Sequence, residues 1–188
     1  MRKKLKSLLL ITLSVLMLGL VGCGDDKTAS DSDTSSKDTP TTKEEYAKYL
    51  NDRYNYYLSD SKLNTDYDIY VDNFTYNGTN EEFVTAYGDA YGTLRTQLLA
   101  LKSDLETNVK KGTSEVDKLN QEVITSIDKA VLSIDDFDQS YSTNVKDYGT
   151  LAKDEFVKGM QAVGRAPHDA RMELDKLVKD AKNTLGIK

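Results

Sequence analysis

Cysteine is almost missing from this 188-residue chain: there is one, Cys23. A single thiol excludes an internal disulfide and any cluster of thiolate metal ligands. Histidine is as scarce. His168 stands alone, and one histidine without cysteine partners does not build a zinc site. Asp169 follows it and Arg165 precedes it by three positions. It reads either as a general base or pH switch, or as an exposed side chain in the helical turn after Pro167. No Gly-x-Ser-x-Gly elbow or other nucleophile motif accompanies it, and catalysis needs such a constellation. The expectation is that the protein is not an enzyme and holds no cofactor or metal.

Two further absences narrow the partners. Beyond the first six residues there is no basic block, so nothing favours nucleic-acid phosphates. No repeat of about 20–50 residues recurs, which argues against a solenoid. The acidic groups Asp66/Asp68/Asp72 and Asp135/Asp136/Asp138 lack the spacing and the glycine of a calcium-binding loop, and read as solvated charge.

What is present begins with a strongly polarised N-terminus. Arg2, Lys3, Lys4 and Lys6 form a positive head, and Leu8 to Val21 is almost wholly apolar. That is the layout of a secretory signal peptide. The apolar run is about 14 residues, short of the roughly 20 a spanning helix needs. It ends Leu20-Val21-Gly22-Cys23, followed at once by Gly24-Asp25-Asp26. Over residues 1–23 the chain resembles the bacterial lipoprotein precursors, whose lipobox places a leucine and two small or apolar residues before an obligatory cysteine. The resemblance implies that the Cys23 thiol receives a diacylglyceryl group and that a peptidase cuts between Gly22 and Cys23. It implies a lipid anchor in the cell membrane, with acyl chains such as palmitate. Two chains give stable anchoring where one gives only marginal binding. Loss of the four basic residues moves the net charge from −6 to −10. Such a body is repelled by anionic head groups and is not expected to lie flat on the membrane.

Residues 24–41, GDDKTASDSDTSSKDTPT, contain no aromatic and no large aliphatic side chain. The segment cannot bury enough apolar surface to offset its ordering entropy and is expected to be a disordered acidic tether. Its reach is about 60 Å extended and about 25 Å as a coil. The domain plan is a signal peptide over 1–22, lipidated Cys23 and tether over 23–41, and a folded domain over 42–188. About 145 residues suffice for one core.

Helical periodicity dominates that domain. Thr42 and Glu45 have capping-box spacing ahead of Tyr46, Tyr49, Leu50, Arg53, Tyr54 and Tyr57. Thr79 and Glu82 repeat the device ahead of Phe83, Tyr87, Tyr91, Leu94, Leu98, Leu101 and Leu105. A third stripe runs from Val116 to Tyr148, uninterrupted by proline or glycine, although Asp135 to Ser140 has poor helix propensity and leaves room for a bend. Leu151 to Val163 and Ala170 to Leu185 continue the pattern, with Pro167 suited to a helix's first turn and Gly186 to a stop. Residues 59–78 lose the period and read as a loop with an extended stretch or a short hairpin at Asn77-Gly78. The fold class is all-α: an elongated antiparallel bundle of three to five helices.

Tyrosine is the abundant aromatic, with 12 in the chain, eight of them between Tyr46 and Tyr76. Its large flat area and polar tip suit binding surfaces. Rings at helical spacing also suit a core. Adjacent positions such as Tyr56 and Tyr57 cannot share one buried face, so some rings are expected outside. Tyr54, Tyr56, Tyr57, Tyr67 and Tyr70 are the candidate partner-binding residues. The leading functional expectation is a non-enzymatic binding or accessory protein for an envelope partner. The alternative is a cell-wall glycan-binding lipoprotein that stacks sugars on these rings. The Lys-, Asp-, Asn- and Tyr-rich composition points to a low-GC Gram-positive cell, in which the anchored protein faces outward.

Overall fold

The computed structural model describes residues 39–59, 61–63, 69–72, 74–109 and 113–187. Gly22, Cys23 and most of the expected tether lie outside them, as does Tyr67. The described residues form α1 (Lys43–Tyr57), α2 (Asn80–Asn108), α3 (Ser114–Asn144), a 3-10 turn (Tyr148–Thr150), α4 (Lys153–Val163), α5 (Arg165–Lys179) and the single turn α6 (Ala181–Thr184), with no strand among them. The fold is all-α, and none of these helices is long and apolar enough to cross a membrane.

The helix starts follow from local chemistry. Thr42 accepts from the Glu45 N–H while the Glu45 carboxylate takes the Thr42 N–H, and Thr79 and Glu82 do the same. Each reciprocal pair satisfies donors that a helix N-terminus would otherwise leave open. Gly78 precedes the second box at φ +89, the left-handed conformation that glycine adopts without strain. It delivers Thr79 to its capping position instead of closing a hairpin. The described residues around it form no strand: Ile69, Phe74 and Tyr76 spend their side chains on the helices, and no second strand occurs among the described residues to pair with.

At Asp135 to Ser140 the third helix continues unbroken to Asn144. Ile134 and Tyr141 are buried on either side of the weak stretch and Phe137 is buried within it, and packing outweighs propensity there. Ser140 also turns its hydroxyl back to the carbonyls of Asp136 and Phe137.

Cross-helix contacts fix the layout. Arg95 meets Asp135 and Lys102 meets Asp128, so α2 and α3 run antiparallel. Lys129 meets Glu173 on α5. Tyr46 reaches Asn120 near the start of α3, and Arg171 reaches Tyr54, which places α1 beside the later part of α5. Helix α1 occupies the fourth corner of the bundle along only half its length. In the other half that corner is filled by residues 69–72, 74–79 and α4: Tyr76 packs on Phe156, and the Tyr70 hydroxyl donates to the Gln161 carbonyl at 2.7 Å.

The core changes character along the bundle. Where α1 packs, it is aliphatic: Leu50, Leu98, Leu101, Leu105, Leu119, Val123, Ile127 and Leu174 are almost fully buried. Burying each contributes about 1.5–3 kcal/mol over leaving it exposed. At the other end it is a continuous aromatic cluster in which Phe83, Tyr87, Tyr91, Phe137 and Tyr141 meet ring against ring.

Candidate functional site

The five tyrosines singled out from the sequence fall in different environments. Tyr54 points inward from α1 and is 9 % exposed. Tyr56, two positions on, faces out at 55 % exposure, with the Lys62 ammonium 3.5 Å from its ring centroid. Tyr57 is half-buried and donates through its hydroxyl to Asp104 Oδ2 at 2.8 Å. Tyr70 is half-buried and stacks on His168 with centroids 3.8 Å apart, under the Arg165 guanidinium. Tyr67 is outside the described residues. A sugar platform needs several open ring faces side by side. Of the four described rings only Tyr56 is mostly exposed, and a cation lies over one face of it. His168, the one histidine, serves with Arg165 to hold Tyr70 against the α4–α5 corner.

The most concentrated polar assembly centres on a residue that was not among the sequence candidates, although Tyr57 belongs to it. Asp104 on α2 is 9 % exposed in its side chain and is surrounded by donors. Tyr49 and Tyr57 donate hydroxyls to its two oxygens, Asn108 Nδ2 donates at 2.9 Å, and Arg53 Nε lies 3.6 Å away. Burial works to raise the pKa of this carboxyl. The hydrogen bonds from Tyr49, Asn108 and Tyr57 and the charge of Arg53 outweigh it, leaving the group below the ordinary carboxylate range. Burial and the Asp104 charge push the Tyr49 and Tyr57 hydroxyls up to about 12, so both remain donors at neutral pH. With its oxygens engaged by four residues of this chain, the carboxylate ties α1 to α2 and has little capacity left for a ligand. The sequence signal was Tyr49, Arg53 and Tyr57 at four-residue steps, which puts two hydroxyls and a guanidinium on one stripe of α1.

The described members of the acidic groups are accounted for by ion pairing or exposure. Asp135 pairs with Arg95 at 2.6 Å while Asp136 and Asp138 are exposed on α3, and no group of three or more acidic, histidine or cysteine side chains suited to a metal occurs among the described residues. Asp66 and Asp68 are outside those residues.

The outer side of the α2–α3 pair carries an open groove of about 660 Å³, lined among others by Thr85, Gly88, Gly92, Thr96, Asp138 and Ser142. Gly88 has a reason inside the fold. A Cβ there would stand 3.0 Å from the Tyr141 ring, which crosses α2 to donate its hydroxyl to the Val84 carbonyl at 2.6 Å. Gly92 has none, since a Cβ there would meet nothing within 4 Å. Glycine inside a helix costs about 1 kcal/mol relative to alanine. Gly92→Ala is therefore expected to raise stability by about 1 kcal/mol in urea denaturation, and a loss instead would mean that the position is not open.

No protein-family model, curated protein or solved structure matches this chain. The functional reading rests on its own residues.

Proposed function

We propose that the protein is a lipid-anchored lipoprotein of the cell envelope. Its helical body is a non-enzymatic binding or accessory module held outside the membrane on an acidic tether. The observation that carries this reading is the run from Arg2 to Cys23: a positive head, an apolar stretch too short to span, and Leu20-Val21-Gly22-Cys23 at its end. Cys23 carries the chain's one thiol, and the thiolate is the form that accepts an acyl-bearing group. Small Gly22 leaves the neighbouring backbone open to a peptidase. The accessory role draws support from a body whose buried polar groups are spent on holding helices together.

Cys23→Ser tests the anchor directly. In cells fed an alkyne-bearing fatty acid, the parent chain is expected to take up label, lose residues 1–22 and stay with the membrane pellet. The variant is expected to take up no label and to keep the mass of the uncut precursor. Normal cleavage and fractionation of Cys23→Ser would overturn the proposal.

A further inference from the structure

Two of the exposed large apolar side chains sit together on the outer side of the α2–α3 pair. Leu99 is 38 % exposed and Leu132 is 61 % exposed. Arg95, Leu99 and Lys102 fall on one stripe of α2, and Asp135, Leu132 and Asp128 on the facing stripe of α3. The ion pairs Arg95–Asp135 and Lys102–Asp128, each at 2.6 Å, bracket the two leucines. Next to the leucines the α2 stripe is thus cationic and the α3 stripe anionic, while Glu106 sits beside Lys102 at 3.8 Å and Asp89 of α2 lies farther along, in the adjoining groove. In that groove Gly92 leaves room for a close approach.

We propose that this face pairs with a second copy of the chain about a two-fold axis parallel to the helices. Charge selects both the occupant and the axis. A parallel two-fold sets each α2 against the α3 of the other copy, running antiparallel. Arg95 and Lys102 then lie across from Asp135 and Asp128, and Leu99 lies across from Leu132. A two-fold perpendicular to the helices sets α2 against α2 and α3 against α3. Arg95 then meets Lys102 and Asp128 meets Asp135, a like-charge arrangement that disfavours that partner geometry. In the parallel arrangement every neighbouring helix at the interface is antiparallel, as in an up-down bundle.

The size is adequate. The 29 residues of α2 extend about 43 Å, and two helices side by side are about 20 Å wide. The face therefore offers roughly 860 Å² per copy, close to the 800 Å² or so per partner of a standard interface. A parallel axis also puts Thr42 of both copies at the same end, as two bodies tethered to one membrane require. The shared end matters only to a protein held by the proposed anchor, whereas the charge pattern is independent of it.

Cysteine pairing in cells that make the full chain tests this. One tagged copy carries Leu99→Cys, and a differently tagged copy carries Leu132→Cys. After mild oxidation the mixed pair is expected to give a disulfide-linked product bearing both tags. Its yield should be at least tenfold that of Leu99→Cys with itself, and well above the background from chains bearing Cys23 alone. Adding Gly92→Gln to both copies, a change whose Cβ meets nothing within 4 Å inside one copy, is expected to cut that yield at least fivefold. No mixed product, a product dominated by Leu99→Cys with itself, adducts to other proteins alone, or indifference to Gly92→Gln would overturn the proposal. These readouts do not depend on acyl labelling of Cys23, so failure of the dimer and failure of the anchor are distinguishable.

Discussion

Asp104→Ala is expected to lower the stability of the helical body by about 3 kcal/mol in urea denaturation. The substitution does not simply delete one ion pair. It leaves the Tyr49 and Tyr57 hydroxyls, the Asn108 amide and the Arg53 guanidinium facing a gap at the α1–α2 contact. Breaking a buried charged pair from one side costs about 3–5 kcal/mol, because the remaining charge loses its partner without regaining water. Arg53 is 19 % exposed and partly rehydrates, which places the expectation at the lower end of that range. Asp104→Asn keeps the shape and one acceptor and should cost about half as much. Acidity provides a second signature. The folded pKa of Asp104 lies below its ordinary 3.8, so below that value the unfolded chain binds the proton more readily than the folded one. The stabilisation is fully present above the unfolded pKa and is lost as pH falls through the folded pKa. The stability gap between the parent chain and Asp104→Asn should therefore narrow between neutral pH and pH of about 3. A gap that stays constant over that interval would show that the carboxylate's charge contributes nothing.

This assembly also marks where sequence reading stops. Helix existence was legible because its signals are local: Thr42 with Glu45, Thr79 with Glu82, and the apolar stripes of α2 and α3 each lie within one segment. The opposed orientations of Tyr54 and Tyr56 follow from the same geometry, since positions two apart on a helix point about 200° from one another. What was not legible depends on residues far apart in the chain. Asp104 becomes a hub only because α1 packs on α2, across 55 positions from Tyr49. The aromatic residues of 69–76 look like a strand or hairpin in isolation, and their conformation is set by α4, where Tyr70 binds Gln161 across 91 positions. The one candidate site with a purely local signature, Cys23 after Leu20-Val21-Gly22, belongs to the proposed processing and lies outside the described residues.

The junction between α4 and α5 makes the same point through sterics, and Gly164→Ala is expected to destabilise the protein by about 2–3 kcal/mol. Its φ of −84 is open to any residue, so backbone conformation does not demand glycine here. Space does. A Cβ at this position would lie 2.0 Å from the Tyr87 hydroxyl oxygen, 3.0 Å from Tyr87 Cζ and 3.1 Å from the Tyr70 hydroxyl. Tyr87 cannot swing aside at small cost. It is 2 % exposed, and its ring is held by Phe83, Tyr91, Phe137 and Tyr141. Overpacking a tight core costs about 1–3 kcal/mol, which exceeds the alanine gain of up to about 1 kcal/mol at an open helical site. Tyr87→Phe removes the atom in the closest contact. Alone it should cost about 1 kcal/mol, because the hydroxyl gives up a long contact to Tyr91 at 3.4 Å and a hydrogen bond shared with Tyr70. Combined with Gly164→Ala it should recover at least about 1 kcal/mol of the loss, a coupling that thermal or urea melts of the four proteins in the cycle can resolve. Strictly additive costs would place the penalty in the helix junction itself and not in the packing of Tyr87 over it.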